Sequence, residues 1–305
     1  MERRRIGSLS VSVIGLGCNN FGMRLDAQAT AAVLDASLEA GINFLDTADI
    51  YGGTKSEEFI GRWLGKHREQ VVLATKFGSK VDEQRKGAAP AYIRRAVEDS
   101  LRRLGTDRID LYQLHRPDPE VPIADTLGAL DELVRAGKVR ELGCSNFSQE
   151  QLREAEAAVK PGAARFMSVQ NEYSLLHREP ERDVLPECER KGLAFLPYFP
   201  LASGLLTGKY RKGRPFPPGT RITDGGRFSS FLSEERLARV ESLIAFAELR
   251  GHTLLELAFS WLLARKSVAS VIAGATSPAQ VKSNAAAAGW QLTAAELAEV
   301  DRLLS

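Results

Sequence analysis

Apolar, strand-like runs alternate with helix-like patterns along the whole chain. Nearly continuous apolar runs predict strands that are covered on both faces, as in parallel sheets with helical crossovers. Eight such units favour a closed (β/α)8 TIM barrel over an open doubly wound sheet. The eight runs are SVIGLGC (12–18), INFLDTA (42–48), VVLATKF (71–77), RIDLYQLH (108–115), VRELGCSN (139–146), FMSVQNEY (166–173), LAFLPYF (193–199) and SVIAGA (270–275).

Shorter patterns mark the ends of the predicted barrel and of its helices. The alternating start, roughly Arg4 to Ser12, predicts a hairpin that closes the bottom of the barrel. Thr54 and Glu57 have the spacing of a capping box at the start of a helix. Thr293 and Glu296 have the same spacing before a final helical pattern, which predicts an extra C-terminal helix beyond the eight units.

Composition and charge narrow the class of protein. An α/β barrel commonly fills about 250 residues, and no linker divides the 305 residues, so we expect a single domain over 1–305. The 41 basic and 39 acidic residues are interspersed and give a net charge of +2, which favours neither a nucleic-acid partner nor a membrane surface. No apolar run approaches the roughly 18 residues of a membrane helix. We therefore expect a cytoplasmic protein, and the sequence leaves its oligomeric state open.

The cysteines and histidines give no sign of a metal site. Cys18, Cys144 and Cys188 are odd in number and lack metal-ligand spacing, so we expect small buried side chains in a reducing compartment. No second histidine or cysteine stands at ligand spacing from His115. We expect chemistry without a metal.

Four ionisable residues, Asp46, Tyr51, Lys76 and His115, follow the ends of successive strand-like runs. The carboxyl ends of barrel strands form the active face, so these side chains should converge, although each taken singly could be a helix cap or a core residue. A phenol titrates near 10, and a neighbouring ammonium lowers that value while a carboxylate holds the ammonium in place. An imidazole can donate to a carbonyl oxygen. The set predicts proton transfer to a carbonyl.

Two loops near the chain's C-terminal end suit a phosphate. In GATSPAQVKSN (274–284), Ser277 is a good helix N-cap and Gln280 completes a capping box. A helix N-terminus presents unpaired N–H groups that can hold phosphate. The other loop is PLASGLLTGKY (200–210), which is rich in glycine and includes Lys209. Because no GxGxxG sequence is present, a dinucleotide would bind without the Rossmann fingerprint.

With these motifs assembled, the chain resembles an aldo-keto reductase over nearly its whole length, and GLLTGKY and the short loops look closer to the bacterial oxidoreductase and potassium-channel β-subunit-like branch than to the aldose reductases. The motifs occur in the family's order: INFLDTADIYG (42–52), ATKFG (74–78), DLYQLHRPD (110–118), GCSNF (143–147), VQNEYSLL (169–176), YFPLASGLLTGKY (198–210) and GATSPAQVKSN (274–284).

The resemblance implies a barrel that binds NADP(H) and transfers hydride between the cofactor and a small carbonyl or alcohol substrate. Tyr51 would be the general acid, Lys76 and Asp46 its tuning pair, and His115 the group that orients the substrate. The implied cofactor-binding residues are Ser145, Asn146 and Gln170 at the carboxamide, Tyr198 on the ring, Leu201, Ser203, Leu205, Gly208 and Lys209 along the pyrophosphate, and Gly274, Thr276, Ser277, Gln280 and Asn284 at the adenosine phosphate end.

Some alternatives remain open at this point. TSPAQ (276–280) lacks the basic residue that many family members place against the 2′-phosphate, so NADPH is favoured but NADH is an alternative. The barrel could instead belong to a nucleotide-sensing regulatory subunit with little turnover. A sugar-phosphate isomerase or aldolase could use Lys76 as a nucleophile, but it would leave Tyr51 and Asp46 without roles. The sequence does not identify the substrate or the direction of the reaction.

Overall fold

The chain begins with an antiparallel hairpin of β1 (Arg3–Ile6) and β2 (Leu9–Ser12). The structure is a computed structural model that describes residues 1–220, 222–223 and 232–304. The hairpin's apolar side chains, Ile6, Leu9 and Val11, are buried in a cluster with side chains from inside the barrel. The predicted hairpin is confirmed, and it closes the N-terminal end of the barrel.

Eight parallel strands form the barrel, and all eight predicted runs are confirmed. Neighbours along the chain pair in order from β3 to β9, and β10 pairs with β3. The seam between β9 and β10 is closed by a parallel bridge between Phe195 and Val268. The strands are β3 (Ile14–Gly17), β4 (Phe44–Asp46), β5 (Val72–Phe77), β6 (Ile109–Leu114), β7 (Val139–Ser145), β8 (Phe166–Glu172), β9 (Ala194–Tyr198) and β10 (Val271–Gly274).

Helices surround the strands, and their apolar faces form the larger of two buried cores with the outward side chains of the barrel. They are α1 (Ala27–Glu39), α2 (Lys55–Leu64), α3 (Pro90–Leu104), α4 (Ile123–Arg135), α5 (Gln149–Ala158), α6 (Val184–Lys191), α7 (Glu234–Glu248), α8 (Leu254–Leu263), α9 (Pro278–Ala286) and α10 (Ala294–Leu304). The last is the predicted extra helix, and Thr293 and Glu296 cap its start reciprocally. Within the described parts of the chain, no helix is long and apolar enough to cross a membrane.

The capping box predicted at Thr54 and Glu57 is wrong. Thr54 has a left-handed backbone with φ of 78°, and its side chain makes no cap hydrogen bond. The Glu57 carboxylate is fully buried and accepts from the Thr75 hydroxyl at 2.6 Å and from Arg103 Nε at 2.7 Å. Glu57 therefore joins α2 to β5 and α3 instead of capping its own helix.

Candidate active site

Side-chain alternation along the strands brings the polar strand ends together inside the barrel. Residues two apart on a strand share a face, and Phe44, Ala74 and Leu111 belong to the interior apolar cluster. Asp46, Lys76 and Gln113 each follow one of these residues by two positions. The register sets Lys76 beside Gln113. The polar side chains therefore form the top layer of the barrel interior, above an apolar filling.

Asp46 is the centre of this layer. Its Oδ2 accepts from Lys76 Nζ at 2.6 Å, and its Oδ1 accepts from Gln113 Nε2 at 3.0 Å and from Gln170 Nε2 at 2.9 Å. All four side chains are buried. Gln113 is a site residue that the sequence reasoning missed; its position two residues before His115, at the end of an apolar strand, was the available signal.

Lys76 is held as an ammonium although it is fully buried. Burial alone would lower the pKa of Lys76, but the negative charge and hydrogen bond of Asp46, together with Tyr51, outweigh it and leave that pKa above its usual value. The Lys76 ammonium also donates to the Thr47 carbonyl at 2.9 Å. Its charge and its position are both fixed.

Tyr51 and His115 lie over this pair. Lys76 Nζ is 5.2 Å from the centroid of the Tyr51 ring, and the Tyr51 and His115 rings meet edge to face with centroids 5.9 Å apart. Burial raises the pKa of the Tyr51 phenol above 10.0, against the opposing effect of Lys76, so the phenol is protonated at neutral pH. The structure thus brings the four predicted catalytic residues together.

His115 is a neutral imidazole. Burial lowers the pKa of His115 to about 3, and the charges of Lys76 and Arg116 act in the same direction. Its Nδ1 is buried and has no hydrogen-bond partner among the residues that the structure describes. A neutral ring with an unused polar atom can orient a substrate oxygen without adding charge to the site.

A chain of hydrogen bonds runs from His115 to the end of β9. Asn146 Nδ2 donates to the His115 carbonyl and to Ser145 Oγ, each at 3.0 Å. Tyr198 donates its hydroxyl proton to Asn146 Oδ1 at 2.8 Å, and Ser145 donates to the Gln170 carbonyl at 2.7 Å. The four residues expected at the nicotinamide are therefore connected to one another, and the amide nitrogen of Gln170 faces Asp46.

The loop after β9 folds into a short 3-10 turn, Ala202–Thr207, with several left-handed residues. Ser203 has φ of 59°, and its hydroxyl oxygen is buried with no partner in the described part of the chain. Leu205 is fully buried, whereas Leu201 and Gly208 are half-buried and Lys209 is exposed. This arrangement fits a loop that wraps an anionic group with its backbone and the Ser203 hydroxyl.

The start of α9 is capped as a phosphate-binding helix would be, with one difference from the sequence prediction. Ser277 Oγ accepts from the Gln280 backbone N–H at 3.3 Å, as predicted. The Gln280 side chain, however, accepts from Thr276, through its backbone N–H at 2.8 Å and its hydroxyl at 3.1 Å, rather than from Ser277. The reciprocal cap is displaced by one residue.

The other residues predicted for the adenosine end include Gly274, which is the last residue of β10 and is exposed. A Cβ atom at Gly274 would lie 3.2 Å from Asn20 Nδ2 and 3.3 Å from Asn19 Oδ1, so a side chain here would press against both amides. Asn284 is buried on α9. Lys282 Nζ lies 3.9 Å from the Glu39 carboxylate, and both side chains are exposed.

The fold and the site together place the molecule among (β/α)8-barrel enzymes with their chemistry at the carboxyl ends of the strands. The chain belongs to the Aldo/keto reductase family, whose model matches residues 13–305, and the resemblance read from the motifs is confirmed. The protein is therefore an oxidoreductase. Members of this family generally use NAD(P)H and act on small molecules.

Several known proteins are similar over nearly their whole length. Aldo-keto reductase YhdN of Bacillus subtilis (strain 168) is 35% identical, covering 97% of this chain and 91% of the relative. Protein tas of Escherichia coli (strain K12) is 34% identical, with 99% and 97% covered. Among solved structures, the glycerol dehydrogenase AKR11B4 from Gluconobacter oxydans has a TM-score of 0.86 at 33% identity, covering 99% of this chain and 94% of its own.

Proposed function

We propose that this protein is an NADP(H)-dependent reductase of aldehydes or ketones, or a dehydrogenase of the matching alcohols. The observation that carries the proposal is the buried assembly in which Asp46 holds the Lys76 ammonium beneath the Tyr51 phenol. An ammonium beside a phenol stabilises the phenolate that remains once the proton has gone. This is the arrangement that a general acid for a carbonyl oxygen needs.

In the reduction, each residue of this group has a separate task. Tyr51, protonated at neutral pH, donates its phenolic proton to the carbonyl oxygen, and Lys76 stabilises the phenolate that forms. Asp46 keeps Lys76 charged and in position. His115 donates the N–H of its neutral ring to the same oxygen. When bound, the cofactor supplies the hydride. In the reverse direction the same groups take the proton from an alcohol.

The residues present fit a phosphate-bearing dinucleotide. The buried Ser203 hydroxyl lacks a partner in the described residues, Gly274 keeps its backbone accessible, and α9 begins with a capped N-terminus. We assign the pyrophosphate to the Leu201–Lys209 loop and the adenosine phosphate to Thr276, Ser277 and Gln280. The hydroxyls of Thr276 and Ser277 support NADPH, while the pairing of Lys282 with Glu39 leaves NADH as the alternative. Fluorescence titration with both cofactors decides between them, and tighter binding of NADH would reverse the assignment.

The substrate class follows from what lines the mouth of the barrel. Asn19 is half-buried beside Gly274, but Asn20 is only 3% exposed and donates its amide to the Ala275 carbonyl at 3.2 Å. Asn20 is therefore a link between two loops and not a substrate contact, whereas Asn19 is left as a polar side chain beside Gly274. The similar solved structure is named a glycerol dehydrogenase. We propose small hydroxylated aldehydes and polyols as the first substrates to test.

The decisive experiment is Tyr51→Phe in the full-length protein. We expect kcat for carbonyl reduction to fall by about 100-fold or more, which is the usual contribution of a general acid. The Kd for NADPH should not change, because the phenol is not among the cofactor-binding residues. Tyr92→Phe, which alters a half-buried phenol on α3, is the control and should retain activity.

Two outcomes would contradict the proposal. Near wild-type turnover by the Tyr51→Phe protein would remove Tyr51 as the acid. Tight NADPH binding by the unmodified protein, combined with negligible turnover of every carbonyl in the panel, would instead favour a nucleotide-sensing regulatory subunit.

A further inference from the structure

A second cleft lies at the N-terminal end of the barrel, away from the catalytic residues. Its volume is about 540 Å³, which is within the usual range of about 300–1,000 Å³ for small-molecule pockets. Asp110 lines it and precedes His115 by five residues along β6, a separation of about 16 Å at about 3.3 Å per residue. The charged residues that line the cleft are Arg3, Arg68, Arg108, Arg140, Glu69 and Asp110.

Two of these residues, Arg68 and Asp110, form a fixed floor. Asp110 is buried, and its carboxylate is bound by Arg68 at 2.9 Å, by Arg140 at 3.0 Å and by the Leu73 backbone N–H at 2.8 Å. Arg68 also donates to the Thr106 hydroxyl and to the carbonyls of Val71 and Arg108. Their charges and hydrogen-bonding groups are used within the protein.

The remaining three arginines have capacity left. Arg108 pairs with the carboxylates of Glu69 and Asp107, which are 80% and 86% exposed, and such exposed pairs are weak. Arg140 is 47% exposed, and its only ion pair within the described residues is the one with Asp110. Arg3 is exposed and has no acidic partner in the parts of the chain that the structure describes. The cleft therefore has four guanidinium groups and two carboxylates, and carries a net charge of +2.

We propose that this cleft binds a small polyanion through Arg3, Arg108 and Arg140. The planar guanidinium fork matches the paired oxygens of a phosphate or carboxylate group, and it keeps its charge at any physiological pH. The net charge of +2 favours a ligand with two or more negative charges. The volume suits a small molecule, such as a phosphorylated metabolite or a polycarboxylate. The site is independent of the active face, so it adds to the proposed reductase function without depending on it.

The test uses the full-length protein with two probes, sodium tripolyphosphate for phosphate oxygens and sodium citrate for carboxylate oxygens. Isothermal titration gives the affinity of each, and sodium chloride at matched ionic strength is the control for general screening. The variants are Arg3→Gln and the double variant Arg3→Gln/Arg140→Gln. We expect saturable binding of at least one probe, with affinity about tenfold lower in Arg3→Gln and lower still in the double variant.

Arg153→Gln is the matched control variant. Arg153 is 53% exposed and pairs with the buried Glu187 at 3.1 Å, which closely resembles the exposure and pairing of Arg140 with Asp110. We expect its probe affinity to equal that of the unmodified protein. Arg3→Gln removes no described ion pair, so it should fold normally even if the double variant does not.

Four results would overturn the proposal. They are the absence of saturable binding of either probe, equal affinity in Arg3→Gln and the unmodified protein, an equal loss in Arg153→Gln, and a probe that competes with NADPH. The last result would place the anion at the active face. If only tripolyphosphate binds, the ligand is a phosphate compound, and if only citrate binds, it is a carboxylate.

Discussion

Asp46 is the side chain on which the arrangement of the proposed catalytic group depends. A buried carboxylate is stable only when its oxygens are paired or hydrogen-bonded. Gln113 and Gln170 both donate to Oδ1, which leaves Oδ2 for the Lys76 ammonium. The two amides thus set the direction in which Asp46 presents its charge. The position of Lys76, and through it the acidity of Tyr51, follows from these two buried amides.

Gln113→Leu tests this dependence. Removing the amide leaves a buried carboxylate oxygen with one donor fewer, at a cost of about 1–3 kcal/mol. If that cost appears in the transition state, kcat falls by about tenfold or more. Cofactor affinity should change less than kcat, because Gln113 is buried below the active face and contacts the proposed cofactor-binding residues only through a long hydrogen bond from Gln170 Nε2 at 3.4 Å. Steady-state kinetics and NADPH titration measure the two quantities.

The control is Gln149→Leu, which removes a side-chain amide hydrogen bond to the Asp183 carbonyl at the start of α5. It should leave kcat unchanged. A Gln113→Leu protein with a kcat within twofold of the unmodified protein would show that Asp46 holds Lys76 without this amide.

His115 gives a prediction about pH. Its folded-state pKa of about 3 lies below the ordinary 6.5, so the imidazole stays neutral across the working range of the enzyme. In two-dimensional NMR we expect the His115 ring signal, assigned by its absence in His115→Asn, not to titrate between pH 8 and pH 5. A midpoint near 6.5 would contradict the neutral ring.

The same shift affects stability. Because the folded pKa is depressed, the unfolded chain takes up the proton first as pH falls. The neutral His115 ring therefore costs no stability above about pH 6.5. As the pH falls from there towards 3, the free energy of unfolding decreases progressively. In urea denaturation, the unmodified protein should lose more stability than His115→Asn between pH 7.5 and pH 4.5. Equal losses would contradict this account.

The turn between β4 and α2 carries Tyr51 and has three consecutive left-handed residues after it. Gly52, Gly53 and Thr54 have φ of 60°, 65° and 78°. A Cβ atom at Gly52 would lie 2.4 Å from the Phe21 carbonyl oxygen, so the turn packs tightly against the loop after β3. A β-branched residue is strained in this backbone region. Thr54 therefore stores strain beside the catalytic phenol.

Thr54→Gly should relieve this strain. We expect a gain of at most about 1 kcal/mol in the free energy of unfolding, since the relief of roughly 1–3 kcal/mol is partly offset by the entropic cost of glycine, about 0.4–1 kcal/mol, and by the loss of the hydrogen bond from the Thr54 hydroxyl to the Glu58 carboxylate at 3.0 Å. Urea denaturation measures the change. The same substitution at Thr253, an N-cap with φ of −98° whose hydroxyl oxygen accepts from the Glu256 backbone N–H, should lower stability instead. Changes of the same sign at both positions would contradict the strain argument.

The strands and the polar residues at their ends could be predicted from the sequence alone. Strands buried on both faces leave continuous apolar runs, so all eight could be predicted, and the strand-end rule brought Asp46, Tyr51, Lys76 and His115 together. Contacts between residues far apart in the chain could not be predicted, because they leave no pattern in the neighbouring sequence. Glu57 follows Thr54 at capping spacing, but its carboxylate is bound by Arg103, 46 residues further on.

The amide network under the active site was hidden for the same reason. Gln113 donates to Asp46, 67 residues earlier in the chain, and nothing in the sequence around Gln113 specifies that partner. The cofactor-binding residues, in turn, were assigned from sequence motifs. In the structure these motifs form the loop after β9 and the capped start of α9. Direct binding measurements on those residues are what would test them.

For the molecule as a whole, the N-terminal hairpin joins the closed end of the barrel to the seam between β9 and β10. At this seam Phe195 of β9 forms a parallel bridge with Val268, three residues before β10. The Arg4 guanidinium donates to the carbonyls of Val268 at 2.7 Å, Leu263 at 3.0 Å and Arg265 at 3.4 Å. One hairpin side chain therefore binds the segment between α8 and β10 at the point where the ring of strands closes.

Arg4→Met tests this link, because methionine keeps the apolar stem and removes the donors. Losing three hydrogen bonds to partly buried carbonyls, each contributing about 1 kcal/mol, should lower the free energy of unfolding by about 2–3 kcal/mol. Arg5→Met, at an exposed position on the same strand, should change it by less than about 0.5 kcal/mol. Hydrogen exchange locates the effect: the Ala269 amide, which donates to Phe195 across the seam, should exchange faster relative to the His115 amide, which donates to Phe77. If both amides lose protection equally, Arg4 stabilises the barrel globally and does not act on the seam.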